Sequence, residues 1–352
     1  MKTKVSIIIL NLNGWKDTID CLESLYQITY PYYNVILVDN GSKDNSIKKI
    51  RKYCEGNHLV TSKFYKYSSE NKPIRIIEYT RNEAEIERGK VKEINELPSN
   101  KKLILIKNEK NYGFAEGNNI GIKYALNVLN SDYVLVLNND TIVDRDFLGE
   151  LVKVAETDET IGSVQALLLR PGGKIIDSLG QELLAWTSRD KGFNTEYKRA
   201  LEKDFEIFGS CAAAAVYKNH VLRKVGLFDK DFFIYLEDID LSWRVRLSGF
   251  KSFLVHKSVV YHKRGLSAPP HLRKKYHSSK NWLIILLRYY PFSLRFFRIL
   301  SKSIYYASRI GKIHELSKIL VKNLKMRKII KQNPFLKKLQ LRWIKRYAHL
   351  DN

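Results

Sequence analysis

The sequence predicts an α/β fold with a parallel sheet covered on both faces by helices. Three observations carry this: short apolar runs rich in β-branched residues, amphipathic stretches of helical period between them, and polar residues at the end of each run. Strands buried on both faces read as unbroken apolar runs, and the helices between them cover the two faces. Residues 5–10 are the first run, followed by an Asn11–Gly14 turn and a helical stretch over 17–28 with Ile19, Leu22 and Leu25 in phase. Residues 33–38 form the second strand, ending at Asp39, and Asp44 and Asn45 open a helix through Ile47 and Ile50. Residues 103–106 are a third strand, 118–129 a helix, and 133–137 a fourth strand ending in Asn138, Asn139 and Asp140. Residues 161–169 add a strand before the turn Pro171-Gly172-Gly173. Residues 56–102 interrupt this rhythm with Lys, Glu, Asn and Ser, and read as a polar, partly ordered surface insertion with one strand-like stretch at 74–79. The chain shows no internal repeat and no low-complexity tract.

With 352 residues, 44% hydrophobic and 12% aromatic, the chain can bury a sizeable core, which excludes disorder as its main state. Three scattered cysteines, Cys21, Cys54 and Cys211, give neither a disulfide framework nor a paired zinc spacing and suit a reducing compartment. The apolar run at 5–10 is too short for the core of a signal peptide. The formal net charge of +24 is concentrated at one end: residues 263–352 hold 23 Lys and Arg against two acids, Glu315 and Asp351. Cationic surfaces attract nucleic acid, anionic lipid or anionic substrates, and charge alone does not choose among them.

Residues 282–287 are apolar, and Phe292, Leu294, Phe296 and Phe297 then alternate with Arg295 and Arg298. Three arginines and Pro291 disqualify an ordinary membrane span, so the reading is a basic, aromatic helix lying in a membrane surface; the alternative is a helical appendage packed on the body. No helix-turn-helix, zinc-finger or RNA-binding signature supports nucleic acid as the partner.

Five segments carry chemistry-bearing side chains. At the second strand end, Asp39 with Asn40, Gly41 and Ser42 can hydrogen-bond a nucleotide, or simply form a capped turn. The turn after the first strand lacks the glycine fingerprint of dehydrogenases. Residues 111–121, with Asn111, Gly113 and Asn118, precede a helix and could bring backbone amides to a ligand, or cap that helix. Asn138, Asn139 and Asp140 can hold a divalent cation against a diphosphate, or form an Asx turn. Glu237, Asp238 and Asp240 place three acids in an aromatic stretch, with Asp240 and Arg244 spaced for an ion pair. His262 ends a strand-like run at 258–261; a lone histidine is most often structural.

Taken in order, these segments resemble the family 2 glycosyltransferases of GT-A fold (a mixed, mostly parallel sheet flanked by helices), especially their rhamnosyltransferase-like branch. The resemblance rests on Val5 to Asn11, Val38 to Ser42, Asn111 to Ala115 with Gly117 and Asn118, Leu137 to Asp140, and Gly226 to Asp229 with Glu237 to Leu241 and Arg244. It covers the chain up to the basic tail, and five motifs in order make it specific. It implies an inverting transfer of a sugar from a nucleotide-diphosphate donor to a hydroxyl of a glycan or lipid-linked saccharide. It also implies a catalytic region at 1–265 and a basic helical region at 266–352 on an anionic membrane surface, peripheral to the cytoplasmic face of the cell membrane. Asp39 would contact the nucleotide base, with Asn11, Asn40, Ser42, Asn111, Gly113, Asn118, Asn138 and Asn139 lining the donor site. Asp140 would hold Mg²⁺ or Mn²⁺, joined by His262, and Asp238 beside Glu237 would be the catalytic base. Asn138 stands where the family's metal motif begins with Asp, a departure that weakens the metal site. A nucleotidyltransferase and a catalytically dead sugar-binding homologue are the other readings, and a homo-oligomer is left open.

Overall fold

The computed structural model describes residues 3–86, 90–184, 187–197, 202–264, 271–290 and 294–338. Two expectations touch the remainder: the boundary at 265/266 and the end of the basic tail beyond 338 lie outside the described residues.

Strands β1 (Val5–Asn11), β2 (Tyr33–Asp39), β3 (Arg75–Thr80), β4 (Lys102–Lys107) and β5 (Tyr133–Asn138) form one parallel half-sheet in the order β3-β4-β2-β1-β5. Between them run α1 (Trp15–Leu25), α2 (Ser46–Cys54), α3 (Arg81–Ile86), α4 (Val91–Glu96) and α5 (Gly113–Asn127). Nearly every residue of β1, β2, β4 and β5 is buried, as their continuous apolar sequences require. The parallel register sets Asn11 beside Asp39 and Leu10 beside Asn138, so three polar strand ends share one edge of the sheet.

The second half is mixed. After β6 (Thr141–Val143) and α6 (Phe147–Ala155) come β7 (Ile161–Leu169), β8 (Ile176–Ser178), and a hairpin of β9 (Gln181–Leu184) with β10 (Thr187–Asp190). β11 (Phe205–Ile207), β12 (Ala214–Lys218), α7 (Asn219–Val225), α8 (Glu237–Leu247) and β13 (Lys251–His262) complete the body. β12 is antiparallel to both β5 and β7, whereas β13 is parallel to β7. The last pairs of β13 with β6 set His262 opposite Thr141, which delivers a C-terminal histidine next to Asp140.

Two expectations need correction. Residues 56–102 are no loose insertion over their described length: β3 is the edge strand of the sheet, and Ile77, Tyr79 and Ile94 are buried in the main core. Lys72 reaches back to the buried Glu23, 2.9 Å away. Polar composition misled because an edge strand with two short helices needs few apolar anchors. The helix expected over 118–129 starts at Gly113, so Gly117 and Gly121 lie within it, one turn apart. A Cβ on either would come within 2.7 Å of Leu10 or Ile8, so these glycines let the helix approach the sheet closely rather than open its backbone to a ligand.

The C-terminal region forms α9 (His271–Tyr289), α10 (Leu294–Arg309) and α11 (Ile313–Ile330). Leu283 to Leu287 are buried with Phe232, Ile239 and Trp243 in a core shared with α8. Of the two readings of that apolar run, packing on the body is the one observed, because the run is spent on this core and is closed to a bilayer. Among the described residues no helix is long and apolar enough to cross a membrane.

Candidate active site

The site begins at the sheet edge where β1, β2 and β5 end. Asn11 donates through Nδ2 to Asp39 Oδ1 at 2.7 Å and to Ser42 Oγ at 3.1 Å, while its Oδ1 accepts from Thr18 Oγ1 at 3.0 Å. Ser42 donates from its hydroxyl and its backbone N–H to the two oxygens of Asp39. Asn11, Asp39 and Ser42 thus form one cluster. Asn40 turns the other way: it donates to Asn111 Oδ1 and Gly113 O, and accepts from Asn108 Nδ2 and from the N–H of Tyr112. This amide staples the β2 end to the loop before α5. Asn139 donates to Thr18 Oγ1. Asn118 stands apart, bonded within its own helix to Phe114 O.

On the far side of β5, Asp140 Oδ1 lies 3.2 Å from His262 Nε2, and Asn138 Nδ2 lies 3.3 Å from the same nitrogen. The imidazole is oriented from behind by Asp177, whose Oδ2 is 2.7 Å from Nδ1. Burial opposes a charge on His262, but hydrogen bonds to Asp140 and Asp177 outweigh it and raise its pKa to about 9. Asn138 Oδ1 is buried with no hydrogen-bond partner. A carboxylate and an imidazole meet here beside an unpartnered amide oxygen, donors of the kind a divalent cation accepts, although among the described residues no three or more His, Cys, Asp or Glu side chains are grouped to hold a metal ion.

A cavity of about 740 Å³ opens beside this group, with Asn138 and His262 on one wall and Glu237 and Asp238 on the other. The acids arrive at the start of α8. Asp238 accepts from the N–H of Ala212 at 3.2 Å and of Ile239 at 2.8 Å, which fixes its carboxylate against the small residues that precede β12. Burial, and then repulsion from Asp190, push Asp238 above the ordinary carboxylate range in spite of those two donors. Burial, and then the charge of Asp238, push Glu237 up as well, and its Oε2 has no hydrogen-bond partner. Two buried neighbours that cannot both ionise cheaply titrate as a pair. Asp240 points away from the cavity, 2.9 Å from Arg244 as its spacing implied, and also 2.5 Å from Arg288 of α9.

Sequence reasoning missed Asp177, Asp190, Gln181 and Arg264. Gln181, Asp190 and Arg264 line the cavity, and Arg264 Nε lies 2.8 Å from Asp177. The available signal was a set of polar residues, Asp177, Gln181 and Asp190, within short strands that are otherwise buried or paired.

The family model for glycosyl transferase family 2 matches residues 6–87 and 86–226, ending before Glu237 and His262. The low-salt glycan biosynthesis hexosyltransferase Agl10 of Haloferax volcanii is 28% identical over 137 residues, 39% of this chain and 44% of that protein, so the match spans less than half of that relative. Among solved structures, GalNAc-T7 with UDP, GalNAc and Mn²⁺ superposes with a TM-score of 0.58 at 16% identity, over 93% of this chain and 55% of that one. The mannosyltransferase PcManGT of Pyrobaculum calidifontis, in complex with GDP-Man and Mn²⁺, gives 0.51 at 15% identity over 95% and 84%. Such likeness establishes the fold, and the model match with the strand-end motifs establishes the kinship: the chain belongs to glycosyl transferase family 2 and has the GT-A fold.

Proposed function

We propose that this protein is an inverting glycosyltransferase that moves a sugar from a nucleotide-diphosphate donor to a hydroxyl of a glycan or lipid-linked saccharide. The observation that carries the reading is a single cavity with Asn138 and His262 on one wall and the raised carboxylate of Asp238 on the other. Metal-dependent donor binding is supported by the two structural neighbours, both solved with Mn²⁺ and a nucleotide or nucleotide sugar.

In this reading Asn11, Asp39 and Ser42 hold the nucleoside, within a loop geometry that Asn40, Asn111 and Gly113 stabilise. Asp140 and the deprotonated imidazole of His262, with Asn138 Oδ1, would hold a Mg²⁺ or Mn²⁺ ion, which would supply positive charge against the diphosphate. Asp238 takes the proton of the acceptor hydroxyl as that oxygen bonds to the anomeric carbon; the bond from carbon to the diphosphate oxygen breaks, and its electron pair leaves with the nucleotide. A pKa above the usual carboxylate range makes Asp238 a stronger base than an ordinary carboxylate. Glu237 carries the proton of the pair and spares Asp238 a second buried negative charge.

The partner surface is proposed on the outer faces of α10 and α11, peripheral to the cytoplasmic side of the cell membrane. Phe297, Tyr305 and Ile329 are 60%, 58% and 74% exposed, and basic residues such as Arg298, Lys302, Lys325 and Lys328 are interleaved with them. Basic and aromatic residues on one face suit an anionic bilayer surface. Sedimentation with phosphatidylglycerol vesicles should carry the full chain down and release it at high salt; a chain that stays in the supernatant with these vesicles would remove the membrane from the proposal.

The catalytic reading is tested by thermal unfolding with a panel of UDP- and GDP-sugars, with and without Mn²⁺, followed by turnover of Asp238→Asn. One donor should stabilise the fold in a metal-dependent way. Asp238→Asn should retain that stabilisation and lose about 10²–10⁴ in rate. Normal turnover of the variant would eliminate Asp238 as the base.

A further inference from the structure

The segment that brings Asp238 into the cavity has a costly backbone. Phe233, Tyr235 and Leu236 have φ of 63°, 74° and 66°, all in the left-handed region, and none is glycine. Leu236 is the residue from which α8 starts, so the conformation of this loop sets the direction in which Glu237 and Asp238 leave it. Each such residue costs on the order of 1–2 kcal/mol relative to a right-handed conformation, and an arrangement of this kind persists only where surrounding structure over-determines it.

What surrounds it is the C-terminal region. Asn281 of α9 is fully buried, and its Nδ2 donates to three carbonyls of this one loop: Phe232 O at 2.9 Å, Ile234 O at 2.8 Å and Tyr235 O at 2.6 Å. Three acceptors around one nitrogen fix which end of the amide faces the loop, since the opposite orientation would set oxygen against oxygen. The neighbouring Lys280 bonds the carbonyl of Asp231, and His277, one turn earlier, stacks on Phe233 with ring centres 4.9 Å apart. From the other side the N–H of Ala115 donates to Phe233 O at 3.2 Å. α9 is anchored to α8 by Arg288 and the hydroxyl of Tyr289 on Asp240 and by Tyr289 stacked on Trp243, and Arg288 also bonds Asp229 ahead of the loop.

We infer that Asn281 is a positioning residue: it clamps the left-handed loop 232–236 so that the carboxylate of Asp238 faces the reacting hydroxyl, making α9 a working part of the active site. Ile234, Tyr235 and Leu236 line the same cavity as Asp238, so the clamp also shapes the wall against which an acceptor would lie. The inference rests on Asp238 being the base, and its test separates the two.

The test compares the full-length protein with Asn281→Ala, Asn281→Asp, Asp238→Asn and Leu316→Ala. The last opens a cavity in the core shared with α9 while leaving the loop's hydrogen bonds intact, and so controls for lost stability. Release of nucleoside diphosphate is measured from a UDP- and GDP-sugar panel with Mn²⁺ and water as acceptor, across pH. Asn281→Ala should lower kcat by about 10- to 100-fold with KM for the donor within about threefold, and should displace the acid limb of its pH profile. Asn281→Asp, which sets a carboxylate against three carbonyl oxygens, should be worse. Leu316→Ala should lose stability and keep kcat and the limb. Amide hydrogen exchange of residues 232–238 should accelerate in Asn281→Ala and stay slow in Leu316→Ala, a readout independent of turnover. Unchanged kcat, pH profile and exchange in folded Asn281→Ala would overturn the clamp while leaving Asp238 in place. Full activity of Asp238→Asn would overturn the base alone, and faster exchange in Asn281→Ala would still uphold the clamp.

Discussion

The strand-end amide cluster and the acidic wall of the cavity are built by opposite means. On the side of β1, β2 and β5, polar side chains satisfy one another: Asn11 bonds Asp39 and Ser42, and Asn40 bonds Asn108, Asn111, Tyr112 and Gly113. On the side of α8 and α9, charge is buried and incompletely matched: Glu237 and Asp238 sit above the ordinary carboxylate range, and Glu237 Oε2 has no partner. The difference teaches how to separate shape from chemistry among polar residues. Saturated amides hold loops in place, whereas carboxylates kept dry and underpaired are poised to take a proton. The acidic wall therefore needs an external anchor, which α9 provides through Arg288 and Asn281.

Four substitutions would break or sharpen this contrast. Arg288→Met removes one of the two arginines that pair with the buried Asp240, leaving Arg244, and the nearer of the two cations that pair with Asp229, and should cost up to about 3–5 kcal/mol in denaturant unfolding. Asn40→Ala in the strand-end cluster leaves neutral groups unpaired and should cost only about 1–3 kcal/mol; equal losses for the two would erase the distinction drawn here. Gly41→Ala combines φ of +78° with a Cβ 2.6 Å from the backbone of Lys110. It should cost on the order of 1–2 kcal/mol from the left-handed conformation alone, together with weaker donor stabilisation because the turn carries Ser42. The smallest effect is on pH. The negative charge of Asp190 is one reason Asp238 resists ionisation, so Asp190→Asn should move the acid limb of kcat to lower pH. A limb that stays put would mean that burial alone sets it.

Much of this was readable along the chain. Residues 5–10, 33–38 and 133–137 became β1, β2 and β5 almost residue for residue, because a strand buried on both faces must be apolar throughout. The ion pair of Asp240 with Arg244 followed from helical spacing alone. Gly117 and Gly121 were misread since a glycine needed for close packing looks, in a sequence, like one needed for a ligand. The apolar run at 282–287 was misassigned for a similar reason: apolarity shows that a face is buried, but not against what.

Local patterning alone determined β1, β2, β4, β5 and β7, the polar ends of the first strands and the acidic start of α8, since each depends on neighbours a few positions apart. The tertiary structure alone decided which polar groups meet. Asp177 orients His262 across 85 residues, Asp238 rests on Ala212 across 26, and Asn281 holds the carbonyl of Phe232 across 49. Hydrogen bonds and burial act over a few ångströms whatever the length of chain between partners, so pairings across such separations leave no period in the sequence.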